Sequence, residues 1–289
     1  MKLNKVLFGL TVVAAALFSS CNKDNEGAIY SNQGNAGVSF TASTLTTVEV
    51  PASNPVFDVE VVRGNTAGAA TGTINASLKA GNNEVSGVTV SSYSFAAGEN
   101  RTTVKVDITP LEVGVAGTLT LTLADADASV GGITATTLKC SKAYEWVSLG
   151  KGTFQDNFFG MESTPEILKA QGFDRYRVMA PCEDFRAQAI AGGDDWAAAS
   201  SAPYIELWVE DGLVFWNDWF TGQNYQGDKD QPIMACHASG WSSMATADFW
   251  QYSKFLDAKT IQLAPYYYID GVGGWNYTQK DGVVIITLP

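Results

Sequence analysis

The chain has 289 residues, 46% hydrophobic and 17% charged, with 30 Asp and Glu against 18 Lys and Arg and a net charge of −12. An acidic surface repels phosphate backbones and anionic lipid, which argues against nucleic acid as a partner. The apolar fraction is enough to fill real cores, and the length suits two domains rather than one.

The first segment is an address. Lys2 and Lys5 precede an apolar run over residues 6–18, followed by Ser19-Ser20-Cys21. A basic start, a short apolar stretch and small residues make an export signal over residues 1–20. The apolar run is shorter than the roughly 20 residues a helix needs to span a bilayer, so no retained transmembrane helix is expected. Two readings remain: an ordinary cleaved secretory signal, or a signal whose cysteine is acylated. The position of Cys21 directly behind small residues favours lipidation. Cleavage removes Lys2 and Lys5 and moves the net charge from −12 to −14. This start resembles a bacterial type II lipoprotein signal. The following Asn22-Lys23-Asp24-Asn25-Glu26 resembles the surface-export tag of Bacteroidetes lipoproteins. The resemblance implies a lipid anchor on Cys21, an outer-membrane location and exposure at the cell surface. Residues 21–36 then read as a flexible tether, Gly-rich at its end.

All eight Trp fall between Trp146 and Trp275, whereas residues 28–141 are rich in Thr, Val, Ala and Gly. So sharp a shift places a domain boundary near residues 140–146, giving domains 37–143 and 144–289. The cysteines after Cys21 are Cys140, Cys182 and Cys236. In an oxidising compartment Cys182 and Cys236 are a candidate disulfide, since both lie in the second half. Three buried free thiols are the other outcome and the favoured one. No cysteine spacing suggests a zinc clasp, and His237 is the single histidine.

In the first domain, short alternating runs bounded by turn residues predict strands over 38–41, 46–50, 56–62, 72–78, 88–95, 101–108 and 117–124. In Thr118-Leu119-Thr120-Leu121-Thr122-Leu123 the alternation is strict, with Leu on one face and Thr on the other. Strands at this spacing predict a β-sandwich. Val38-Ser39-Phe40, Val48-Glu49-Val50, Val59-Glu60-Val61-Val62-Arg63, Phe95-Ala96-Ala97-Gly98-Glu99-Asn100 and 119–123 resemble a Calx-beta domain, an immunoglobulin-like sandwich. Members of that family can hold Ca²⁺ through clustered carboxylates. Here Thr109-Pro110-Leu111-Glu112-Val113-Gly114 offers one carboxylate, with Glu49, Asp125 and Asp127 as further candidates. Calcium takes about six to eight oxygens, so no metal site is expected and the domain reads as a spacer.

The second domain is read as β-rich, with short helices over 164–172 and 184–191 and an ambiguous stretch at 249–256. Trp146-Val147-Ser148-Leu149-Gly150-Lys151-Gly152-Thr153-Phe154-Gln155-Asp156 and Tyr176-Arg177-Val178-Met179-Ala180-Pro181 resemble a recurrent C-terminal module of Bacteroidetes surface lipoproteins, which implies location and architecture rather than chemistry. The clearest hairpin joins residues 204–210 and 213–219 through Asp211-Gly212. A two-residue Asp-Gly turn sets Trp208 opposite Phe215, Leu207 opposite Trp216 and Glu206 opposite Asn217. Leu207, Val209, Val214 and Trp216 then face the core. Trp208, Phe215, Glu206, Glu210 and Asn217 share the other face, with Trp219 in phase if the strand continues. Rings among hydrogen-bonding groups suit sugars, whose C–H faces stack while amides and carboxylates take hydroxyls. The other reading, favoured because exposed aromatic clusters are rare, is a second core layer under a covering loop or helix. Tyr266, Tyr268 and Trp275 beside the glycines 271–274 are candidates for the same cleft.

No Gly-x-Ser-x-Gly elbow exists, and Cys236 and His237 are adjacent, so in a strand they point oppositely. No cofactor is expected. The reading is a non-catalytic carbohydrate binder at the cell surface, with an adhesin or assembly subunit binding another protein as the alternative, and a glycoside hydrolase as the second alternative.

Overall fold

The computed structural model describes residues 35–42, 44, 46–124, 126–193, 202–228, 230–240, 250–276 and 282–289. The export signal, Cys21 and the tether up to residue 34 lie outside the described residues. The fold is mainly β, with the α-helix Glu183–Gly192, and divides in sequence between Ala143 and Tyr144 into two compact units. Among the described residues no helix is long and apolar enough to cross a membrane.

The first unit is a sandwich of two sheets around one core. One sheet runs Val38–Phe40, Val56–Arg63, Arg101–Asp107, Thr89–Val90; the other runs Thr47–Pro51, Ala135–Ala143, Ala116–Leu123, Ile74–Ala80, Asn83–Val85. Leu119, Leu121 and Leu123 face inward in strict alternation and belong to one core with Val59, Val61, Val104 and Val106. Buried cations are satisfied locally. Arg63 donates to the carbonyls of Glu99, Gly68 and Ala96, each at 2.7 Å, and Lys142 donates to that of Thr109 at 2.7 Å. The strand Ala135–Ala143 is an addition to the sequence reading: it pairs antiparallel with Ala116–Leu123 and parallel with Thr47–Pro51. Its inward residues are Leu138, Cys140 and Lys142, and so mixed a set hides the alternation. The expected strand over 88–95 is two strands, Thr89–Val90 and Tyr93–Phe95, which pair with different partners.

The second unit wraps three sheets around one core. The first runs Trp146–Lys151, Glu166–Ala170, Arg175–Met179, Tyr204–Glu210, Leu213–Trp216. The second runs Met161–Ser163, Thr153–Asp156, Val284–Thr287, Thr260–Leu263, Lys254–Phe255, and the third Trp219–Asn224, Pro232–His237, Pro265–Ile269, Gly273–Asn276. The helix expected over 164–172 is instead the strand Glu166–Ala170. Antiparallel neighbours on both sides satisfy its backbone, which outweighs local helix signals. The helix expected over 184–191 forms as Glu183–Gly192, ended by Gly193 at φ 86°. The ambiguous stretch becomes the 3₁₀ turn Trp250–Tyr252 and the strand Lys254–Phe255.

Gly152 sits where two of these sheets meet. A Cβ there would lie 2.2 Å from the Thr287 carbonyl oxygen and 2.3 Å from Ile167 Cδ1. Gly152→Ala should therefore destabilise the second unit by about 1–3 kcal/mol, read as a lower urea midpoint. An unchanged midpoint would show that this junction is loose.

Candidate functional site

The hairpin folds in the register its turn dictates. Glu210 lies opposite Leu213, Val209 opposite Val214, Trp208 opposite Phe215 and Leu207 opposite Trp216. Asp211 and Gly212 have φ of 50° and 78°, as a type I′ turn requires. Leu207, Val214 and Trp216 are buried. Trp208 and Phe215 are half-buried on the other face, with stacked rings 6.3 Å apart.

The neighbouring strand completes this outer face. Period-two alternation puts Arg175 and Arg177 on one side, opposite Trp208 and Glu206 respectively. The Nε–H of Arg175 donates to one Glu206 oxygen at 2.6 Å, and the Nε–H of Arg177 donates to the other at 2.8 Å. The Arg175 guanidinium lies over the rings of Tyr144 and Trp208, at 4.8 and 5.1 Å. The Arg177 guanidinium lies over those of Trp146 and Tyr204, at 4.1 and 4.2 Å. Arg175 also donates through Nη1 to the Tyr144 hydroxyl at 3.4 Å, and the Trp208 indole N–H donates to Glu210 at 2.8 Å. The result is a ladder of rings, two cations and one shared carboxylate. Each cation–π contact contributes about 0.5–2 kcal/mol, and together they fix the side chains before any ligand arrives. Tyr144, Trp146, Arg175, Arg177 and Tyr204 were not among the expected site residues. The signal for them is the alternation Arg175-Tyr176-Arg177 and Tyr204-Ile205-Glu206-Leu207-Trp208.

Other expected residues fall elsewhere. The hairpin strand ends at Trp216, so Asn217 is exposed past its end and Glu206 meets arginines rather than Asn217. Trp219 begins a strand of the third sheet, opposite Ala235, and is core: it is 4% exposed, its ring 5.7 Å from that of Trp216. The two-residue break at Asn217-Asp218 ends the phase that would have kept it outside. Tyr266 is also buried, its ring against Gly274, where a Cβ would come within 2.5 Å of it. Tyr268 donates its hydroxyl to Asp218 at 3.1 Å. Trp275 lies opposite Tyr267, on the core side, with its ring 6.2 Å from Phe158 and 6.0 Å from Tyr225. Tyr266 and Tyr268 thus lie on the opposite face of the third sheet from Trp275, so these three residues line no common cleft.

Cys140, Cys182 and Cys236 are free and buried, so Cys182 and Cys236 do not form the candidate disulfide in this structure. Burial raises the Cys182 thiol and lifts that of Cys236 to about 12. His237 contacts Phe215 and Trp216, with ring centroids at 4.5 and 4.6 Å, and its Nδ1 meets the Ser239 hydroxyl at 2.6 Å. Burial depresses it to about 4, so it is neutral at pH 7. Among the described residues, no three of His, Cys, Asp and Glu gather to hold a metal, and Asp125 lies outside them.

No protein-family model matches the chain, and no curated protein does. Among solved structures, a crystal structure of the calcium binding domain CBD12 of CALX1.1 is similar at 13% identity, covering 53% of this chain and 85% of that one, with a TM-score of 0.26.

Proposed function

We propose that this is a lipid-anchored outer-membrane protein whose second unit binds extracellular carbohydrate without catalysis, the first unit serving as a spacer. The anchor rests on Lys2, Lys5, the apolar run 6–18 and Cys21. The binding reading rests on one observation: a half-exposed sheet face where aromatic rings stand beside two guanidinium groups and a carboxylate whose positions are already fixed. Sugars present apolar C–H faces for such rings and hydroxyls for such polar groups. Each of these rings already has a guanidinium beside it, and Trp208 is stacked on Phe215 as well, so stacking falls to Tyr204, 36% exposed and the most open ring of the ladder. Trp146 stands across Arg177 from it.

A protein partner at the edge of the same sheet is the second reading. Its support is Val147 and Leu149, 51% and 41% exposed on the edge strand Trp146–Lys151 of the same sheet.

The test is a glycan array probed with the whole protein purified in detergent. Saturable binding is expected, with about a tenfold loss in Tyr204→Ala, which stays folded after losing about 0.5–2 kcal/mol with its contact to Arg177. A folded protein that binds no glycan on a broad array overturns the reading in favour of a protein partner.

A further inference from the structure

We propose that the glycans this face prefers carry a single carboxylate, seated on the outer guanidinium ends of Arg175 and Arg177. The proposal rests on the carbohydrate reading above and narrows it. The argument starts from the charge at the centre of the face. Two guanidinium groups share one carboxylate, Glu206, so the triad carries one surplus positive charge in a strongly acidic protein. Glu206 takes only the Nε–H of each arginine, one per oxygen. The Nη ends carry the remaining donors of each fork, beyond the weak contact of Arg175 to Tyr144. Exposure points the same way. The arginine side chains are 23% and 26% exposed and that of Glu206 is 14%, so an arriving ligand meets the cations first.

A planar carboxylate matches the guanidinium fork better than a hydroxyl does, because it accepts two parallel N–H groups and is charged. A second carboxylate on the triad would leave two cations facing two anions. The ladder holds both arginines in place with Tyr144, Trp146, Tyr204 and Trp208, so little side-chain freedom is lost on binding.

The other acids of this face limit the ligand. Glu166, which accepts from the Ser148 hydroxyl at 2.6 Å, and Glu210, which accepts from Trp208, are both exposed. Glu166 stands opposite the exposed Lys151, so Glu210 is the acid that would repel a polyanion reaching past the triad. Lys169 lies over Tyr176 on the opposite, core side of the sheet and adds no charge to this face. The expected ligand is therefore a neutral chain bearing one acidic sugar. A uronic acid and a sialic acid share this chemistry, and the two probes separate them.

The experiment titrates the whole protein with 3′-sialyllactose and with a glucuronic-acid-capped xylobiose, each beside its own methyl ester, which keeps the shape and removes the charge. At least one acid is expected to bind about tenfold or more tightly than its ester, weakening as salt rises. Arg177→Gln should bring the acid-to-ester affinity ratio down to about one, while losing the contacts to Trp146 and Tyr204 weakens acid and ester alike. If Arg177→Gln does not fold, Arg177→Lys, which keeps the charge and loses the fork, should reduce the same ratio. Equal binding of acid and ester, or binding of neutral array glycans alone, overturns this inference and leaves the carbohydrate reading standing. No binding of any glycan by folded protein overturns both.

Discussion

Trp219→Ala should cost the second unit about 3–5 kcal/mol, whereas Trp208→Ala should cost about 1–2 kcal/mol and leave it folded. The two tryptophans read alike in the sequence, eleven residues apart on what looks like one hairpin. In the structure Trp219 is in the core with Trp216, Ile233 and Ala235, and removing its ring leaves a cavity there. Trp208 has one edge bonded to Glu210 and its ring shared between Arg175 and Phe215, all on the outer face. A loss of about 4 kcal/mol is a large part of the 5–15 kcal/mol typical of a domain, so Trp219→Ala is expected to melt far below the wild type. Calorimetry of both variants decides the matter. If Trp208→Ala proves as damaging as Trp219→Ala, the ladder is a second core layer and the binding face is lost with it.

The second large effect concerns Asp156. Its carboxylate is buried, accepting from the Tyr267 hydroxyl at 2.9 Å and from the backbone N–H of Phe158 and Phe159 at 2.9 and 3.2 Å. Burial nevertheless prevails over those bonds and lifts it from 3.8 to about 6. The native state thus holds this proton more tightly than the unfolded chain. Stability from this group is full below the unfolded value of 3.8 and falls as pH rises towards 6, where a penalty of about 3 kcal/mol is nearly complete. Asp156→Asn removes the charge and keeps an acceptor for the two backbone N–H groups. The variant should match the wild type in acid and exceed its stability by up to about 3 kcal/mol above pH 6. Urea unfolding across this range checks it. Parallel pH profiles for the two proteins would mean that Asp156 is solvated or neutral throughout.

Local signals in the sequence carried far. Strict Leu-Thr alternation in 118–123 marks the inner face of the sandwich, and Asp211-Gly212 sets the hairpin register residue for residue. What alternation lacks is an end. Nothing in Trp216-Asn217-Asp218-Trp219 announces that the strand stops and the chain crosses to another sheet, so alternation alone extends the phase one step too far. The centre of the candidate site was hidden for a different reason. Glu206 meets Arg175 and Arg177 from 31 and 29 residues away, and only strand pairing brings them together. Tyr204 joins through the same pairing, and Trp146 through the pairing of its own strand with Glu166–Ala170. The phrase opening the second unit also changes meaning once folded. Gly150 sits at a bulge with φ 106°, Gly152 permits close packing, Phe154 is core and Asp156 is the buried acid. These residues hold the fold together, and Trp146 alone of that set stands on the ladder.

The most direct measurement of the central claim is indole mapping by ¹H–¹⁵N spectroscopy while acidic and neutral glycans are titrated into the protein. The account predicts that the indole N–H signals of Trp146 and Trp208 shift with saturation, while those of Trp216 and Trp219 stay fixed. A panel in which no glycan moves the Trp146 and Trp208 signals, or a bound glycan that moves other signals instead, would contradict it.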